Sequence, residues 1–138
     1  MTATAGGMRV VNETRGTVLA ERAVLADGFF ARFRGLMLRP VLAEGEGLLL
    51  RPCSSIHMLF MRFSIDAVFL DLEGLVVAVA ERLRPWLGLA GPHARAHQVL
   101  EVPAGTAAAT GTRVGDRCRI GNPTADIVPA AEPPATVG

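Results

Sequence analysis

The sequence predicts a mainly β domain, a compact antiparallel sandwich or barrel of the jelly-roll kind with one or two short helices. Two observations support this fold class: short apolar runs recur along the chain, and glycine-containing turns separate them. A third is the length, because 138 residues are enough to bury one core without disulfide staples. The expected domain spans residues 8–121, and residues 1–7 and 122–138 are expected to be flexible termini.

The individual elements follow from local composition. Apolar and β-branched runs between turn residues predict strands, which are expected over residues 8–13, 17–22, 48–51, 56–62, 66–70, 75–83, 97–102 and 117–120. Two segments are expected to be helical. Asp27 is placed to cap a short helix over residues 28–34, and a second helical turn is expected over residues 106–110. The strands over 56–62 and 66–70 are expected to meet at a bend near Ser64.

Charge and composition narrow the function classes. The formal net charge is +1, and all 14 basic residues are arginines spread from Arg9 to Arg119. A nucleic-acid surface needs a basic patch with stacking aromatic residues, and this chain has no tyrosine and one tryptophan, so no nucleic-acid partner is expected. No uncharged apolar run is long enough to cross a membrane, and the first residues do not read as a secretory signal. The expected location is therefore the cytoplasm, without a membrane partner.

The polar residues of one apolar stretch are the main candidates for function. Residues 53–71 read CSSIHMLFMRFSIDAVFLD, with His57, Arg62 and Asp66 among side chains that favour burial. In one interpretation, Arg62 and Asp66 form an ion pair across the bend and His57 is a satisfied core residue. In the other, the three line a cleft for a small polar or anionic ligand, with Arg62 as a planar clamp and His57 as a pH-sensitive donor.

Three more residues complete the predicted cleft: Arg32, Arg39 and Glu101 are candidate walls. The function expected from this set is that of a small, non-enzymatic binding or accessory domain. One alternative is an enzyme that uses His57 and Asp66 as acid and base on a small polar substrate. Another is a structural partner protein, in which the same residues only define the fold. The oligomeric state stays open.

Metal and thiol chemistry receive less support from the sequence. Cys53, His57 and Met61 are the kinds of ligand that select Cu(I), and they are the weak candidates for a metal site. Methionines in an apolar run are more often core residues, so no metal and no cofactor is expected. Cys53 and Cys118 are expected to be reduced thiols, with a single bridge between them as the alternative.

Several motifs together resemble one family. They are RFRGLM at residues 32–37 followed by Arg39, the stretch 53–71, LRPW at 83–86, VLEVPAG at 99–105 and Gly115-Asp116. In this order and spacing, the set resembles the DUF192 (UPF0127) family of uncharacterised small proteins. The resemblance implies one mainly antiparallel β domain with jelly-roll-like or barrel-like layering, and it implies no activity. At the bend the family usually has Phe-Pro-Ile-Asp, whereas this chain has Ser64 in place of the proline.

Overall fold

Nine strands and one helix are present in the computed structural model, which describes residues 7–26, 42–58 and 61–121. The main sheet contains β1 (Met8–Asn12), β2 (Thr17–Ala26), β3 (Glu46–Leu50), β5 (Ile65–Leu70), β6 (Val76–Leu83), β8 (Gln98–Pro103) and β9 (Cys118–Gly121). A second, two-stranded sheet contains β4 (Ile56–His57) and β7 (Leu89–Ala90). The helix is α1 (Thr106–Thr110).

The main sheet curls into a half-barrel with the strand order β6-β5-β8-β3-β2-β1-β9. The mainly β prediction is confirmed, and so is the helical turn over residues 106–110. The sheet is mixed rather than wholly antiparallel, because β2 and β3 pair in parallel. The 27–45 connection between these strands is long enough for a parallel pair, which needs a long connection, whereas an antiparallel pair needs only a tight turn.

The two faces of the half-barrel bury different apolar clusters. The concave-face cluster takes side chains from all seven strands, among them Val10, Leu19, Leu49, Val68, Val76, Leu100 and Cys118. The convex-face cluster takes its sheet residues mainly from β3, β5 and β8, among them Leu48, Leu50, Ile65, Ala67, Phe69 and Val99. Leu42, Ile56, Met58 and Met61 are buried in the convex-face cluster from outside the main sheet. The central strands are therefore covered on both faces, as their apolar sequences indicate.

Two predicted features differ from the structure around residue 57. The strand expected over residues 56–62 ends at His57, because the Met58 amide donates to the Gly88 carbonyl and the Met61 amide turns back to the Met58 carbonyl. The partner strand β7 lies in a glycine- and proline-rich loop, where no strand was predicted. The helix predicted over 28–34 and the termini 1–6 and 122–138 lie outside the described residues.

A polar network with Asn12 and Asp116 buried and Arg15 at the surface fixes the β1–β2 hairpin to the turn before β9. Asp116 accepts two hydrogen bonds from the Arg15 guanidinium, at 2.9 and 3.0 Å, and one from the Asn12 side chain at 3.0 Å. The Arg15 hydrogen bonds, followed by those from Asn12 and the Arg113 amide, lower the pKa of Asp116 to about 2. Because the Asp116 carboxylate finds all these donors within the fold, we interpret this network as structural.

The half-barrel closes where the β5–β6 turn meets β9. Leu75 and Arg117 form an isolated bridge, and the Cys118 amide donates to the Gly74 carbonyl at 2.8 Å. Neither cysteine forms a disulfide, so the alternative of a bridge is excluded, and burial raises the pKa of the Cys118 thiol to about 12. In the part of the chain that the structure describes, no helix has the length and apolar character to cross a membrane.

Replacing Gly74 by alanine is expected to weaken the fold far more than the same change at Gly16. Both glycines have positive φ, +89° and +72°, so each substitution carries the left-handed cost of roughly 1 kcal/mol. A Cβ at Gly74 would also collide with the Cys118 carbonyl oxygen, whereas one at Gly16 meets nothing within 4 Å. Urea unfolding of both variants should show an additional loss of roughly 2 kcal/mol for Gly74→Ala. Equal losses would contradict this closure.

Candidate functional site

Glu101 is a buried carboxyl at the centre of the convex sheet face. Side chains alternate along β8, and Leu100 and Val102 belong to the concave-face cluster, which places Glu101 on the other side. In the register, Glu101 lies opposite Leu48 of β3 and Ala67 of β5, and both belong to the convex-face cluster. The carboxyl is thus inserted between apolar neighbours on both adjacent strands.

The Glu101 side chain has no compensating partner among residues 7–26, 42–58 and 61–121. The residue is 7% exposed, and no described side chain or amide forms a hydrogen bond or ion pair with it. Burial raises the pKa of Glu101 to about 8, with no opposing charge to lower it. At neutral pH the carboxyl therefore holds a proton and can both donate and accept a hydrogen bond.

The segment before β5 and the loop before β8 both pack against the convex-face cluster and bring other reactive groups to it. Met58 and Met61 are 1% and 3% exposed in the convex-face cluster, and flexible thioethers adapt readily to a bound molecule. The His93 ring lies edge-on to Phe69, with 4.6 Å between the ring centroids. Cys53 packs against the same cluster and its thiol donates to the Ser55 carbonyl at 3.1 Å. A thiol, an imidazole and a carboxyl are thus all associated with one cluster.

Asp66 is structural in its contacts and lies on the opposite face from Glu101. Its oxygens accept from the backbone amides of Arg82 at 2.8 Å, Gly105 at 3.0 Å and Ala107 at 2.8 Å. Asp66 is fully buried, and its neighbour Ala67 belongs to the convex face, so Asp66 itself is directed away from Glu101. The predicted ion pair with Arg62 is wrong, since these amides satisfy the carboxylate and Arg62 is exposed.

Of the other predicted site residues, the structure describes only the backbone of His57 and does not describe Arg32 or Arg39. The backbone of His57 lies in β4 opposite Leu89, and its side chain lies outside the described part. Arg32 and Arg39 fall in residues 27–41, also outside the described residues. The structure therefore does not bring the predicted cleft together as one set, and the ligand-binding roles of His57, Arg62, Arg32 and Arg39 stay predictions.

Glu101 and His93 have a more central place in the structure than the sequence indicates. Glu101 was a candidate wall, and the signal for its central place was present: a single glutamate in the strand VLEV, whose other side chains are apolar. His93, which the sequence did not single out as a candidate, is half-buried against Phe69. No local pattern in the Gly91-Pro92 loop reveals that contact.

No group of three His, Cys, Asp or Glu side chains in the described ranges is arranged to hold a metal ion. Of the three weak metal candidates, Met61 is buried in the convex-face cluster and Cys53 is hydrogen-bonded to Ser55. The side chain of the third, His57, lies outside the described part, so a copper site at these residues stays a prediction.

Comparison with known proteins gives one consistent family. A sequence model of the family DUF192, "Uncharacterized ACR", matches residues 10–120. A UPF0127 protein of Thermococcus sibiricus is 40% identical over 111 residues, which cover 78% of this chain and 71% of the relative. A UPF0127 protein of Pyrococcus furiosus is 37% identical, over 78% of this chain and 94% of the relative. The crystal structure of a protein of unknown function from Novosphingobium aromaticivorans has the same fold, with a TM-score of 0.72, 24% identity and coverage of 81% and 82% of the two chains.

Proposed function

The chain belongs to the DUF192 family, and we propose that it is a small binding domain whose convex sheet face holds a small polar ligand at Glu101. One observation supports this most: Glu101 as a residue is only 7% exposed, it lies between Leu48 and Ala67 in the sheet, and its carboxyl has no partner among the described residues. A site with apolar walls and few polar groups is the usual environment of a bound small molecule.

Glu101 lowers the stability of the fold and forms no contact that holds it together. An unpaired carboxyl in apolar surroundings is expensive, and an apolar residue of similar volume would serve the sheet better. Asp66 shows the contrast, because all three of its hydrogen bonds hold elements of the fold together. A ligand that supplies the missing partner to Glu101 offsets the cost, as is common where function competes with stability.

The ligand class follows from the protonation state. A neutral carboxyl pairs best with a group that both donates and accepts, such as an amide, a carboxylic acid or a hydroxyl on an otherwise apolar small molecule. Leu48, Ala67 and the two buried methionines, Met58 and Met61, would contact the apolar part. This ligand differs from the anion expected for an Arg62 clamp, since Arg62 is exposed to solvent.

A second candidate is an enzyme in which Glu101 transfers a proton. Its pKa of about 8 lies close to neutrality, which is the range that suits a general acid or base. The acid–base pair of His57 and Asp66 receives no such support, because Asp66 is held by three backbone amides. In this hypothesis the proton-transferring group is Glu101 and not Asp66.

A ligand-observed NMR screen of small amides, acids and alcohols against three proteins tests the proposal. The wild type and Glu101→Gln should bind the same compounds with similar affinity, because an amide also donates and accepts, whereas Glu101→Leu should lose them. Glu81→Leu, at an exposed position of β6, is the matched control and should bind as the wild type does. Compounds that bind equally to wild type and Glu101→Leu would contradict the proposal. If the wild type converted one of the bound compounds and Glu101→Gln did not, the result would favour the second candidate, in which Glu101 transfers a proton.

A further inference from the structure

A polar cleft lies away from Glu101, beside the start of β8 and the β5–β6 turn. A cleft of about 290 Å³ is lined by Arg51, Gln98, Gly74, Cys118 and Arg119, among others. Arg51 directly follows β3, and Gln98 begins β8. Gln98 and Glu101 stand three residues apart in β8, so alternation directs them to opposite faces. The cleft is therefore separate from the proposed Glu101 site.

The guanidinium of Arg51 is fixed along one edge. Its Nε and Nη2 both donate to the Gln98 side-chain oxygen, at 3.0 and 2.8 Å. Gln98 is 4% exposed, and its own amide donates to the Asp71 carbonyl at 3.1 Å, which fixes the acceptor in turn. This chain of hydrogen bonds removes much of the rotational freedom that a long arginine side chain normally keeps.

The opposite edge of the same guanidinium is left available. Arginine carries five N–H donors, and the two bonds to Gln98 use only one side of the fork. Within residues 7–26, 42–58 and 61–121, no carboxylate forms an ion pair with Arg51. A fork held on one edge and open on the other has the geometry that binds two oxygens of a carboxylate or phosphate.

The other charges of the cleft favour an anion only modestly. Arg119 also lines it and forms an ion pair with Glu13 at 2.9 Å. Glu73 is the acidic residue of the lining, and it is exposed, so water screens its charge. The Arg117 guanidinium donates to the Glu73 carbonyl at 3.2 Å and adds a further positive charge beside the turn.

We propose that this cleft binds a small oxyanion, a carboxylate or a phosphate group, on the open edge of Arg51. The Arg51–Gln98 hydrogen bonds would also hold the end of β3 to the start of β8. A contact that only joined the two strands, however, would not require the arginine to line a cleft with donors left over. Because Gln98 has already fixed the side chain, little entropy is lost when the anion binds.

Titration of the full chain with inorganic phosphate and, separately, with acetate tests this proposal, at an ionic strength held constant with sodium chloride. The Arg51 Nε–H signal in ¹H–¹⁵N NMR spectra, together with the amides of Gly74 and Cys118, should shift in a saturable way. The stronger of the two titrations identifies the class of oxyanion. Arg51→Lys keeps the charge and loses the fork, so it should weaken binding roughly tenfold. Gln98→Met should weaken binding less, by loosening the side chain.

Arg84→Gln is the matched control, since Arg84 is an exposed arginine that does not line the cleft. It should leave both titrations unchanged. If Arg51→Lys fails to fold, Arg119→Gln takes its place and should weaken phosphate binding severalfold. Shifts that do not saturate, that spread equally over the exposed arginines, or that survive both Arg51→Lys and Arg119→Gln would overturn the proposal. None of these results depends on whether Glu101 binds a ligand.

Discussion

Glu101→Gln is expected to stabilise the protein by roughly 3 kcal/mol at pH 7. Burial raises the pKa of Glu101 from its ordinary 4.5 to about 8. The unfolded chain releases the proton above pH 4.5, whereas the folded chain keeps it until about pH 8, so the stability of the wild type falls as pH rises through this window. Glutamine has the same shape and no proton to lose, so its stability lacks this fall. Urea unfolding at several pH values measures the difference.

The pH dependence separates this explanation from a simple packing effect. Below pH 4.5 both states of the wild type hold the proton, so wild type and Glu101→Gln should be nearly equal in stability. The gap should then open between pH 4.5 and about 8. Glu81→Gln, at an exposed position, should match the wild type throughout. A difference that is constant with pH, or a loss of stability in Glu101→Gln at pH 7, would mean that the carboxyl has a partner.

Asp66→Ala is expected to destabilise the protein by roughly 4 kcal/mol. The change leaves the amides of Arg82, Gly105 and Ala107 without an acceptor in the interior, and each bond lost from a carboxylate is stronger than a neutral one. These amides belong to β6 and to the start of α1, so the helix should lose its position against the sheet. Chemical unfolding measures the loss, and hydrogen exchange at Ala107 localises it.

Asp66→Asn is the matched control for volume. Its one carbonyl oxygen can still accept, while its amide nitrogen meets a backbone donor, so we expect an intermediate loss of roughly 2 kcal/mol. Glu81→Ala should change stability by less than about 0.5 kcal/mol, since this residue is exposed. A loss of that size in Asp66→Ala would contradict the structural role. If Arg62→Ala lowered the free energy of unfolding as much as Asp66→Ala does, the result would support an Arg62–Asp66 ion pair instead.

Much of the fold follows from local patterns. The strands β5 and β6 and the turn between them were predicted within one or two residues, because apolar runs end at Asp71, Glu73 and Gly74. The strand over 56–62 was predicted too long, since an apolar run does not show whether its backbone has a strand partner. The parallel pairing of β2 with β3 depends on a long connection, whose path has no local signal.

The candidate site was harder to predict for a physical reason. Asp66 follows Arg62 closely in the chain, which favoured a local ion pair, yet its real donors are amides 16, 39 and 41 residues away. Backbone amides carry no side-chain signature, so the sequence does not reveal them. For Glu101, alternation places the side chain on one sheet face, but only the register with Leu48 and Ala67 shows that this face is apolar.

The titration of the Glu101 side-chain carboxyl carbon, followed by ¹³C NMR and assigned with Glu101→Gln, tests most directly whether this group is buried without a partner. A midpoint near pH 8 is the predicted result, and addition of a compound that binds at Glu101 should shift it. A midpoint near the ordinary value of 4.5 would show a solvated or paired carboxylate and would contradict the proposed site.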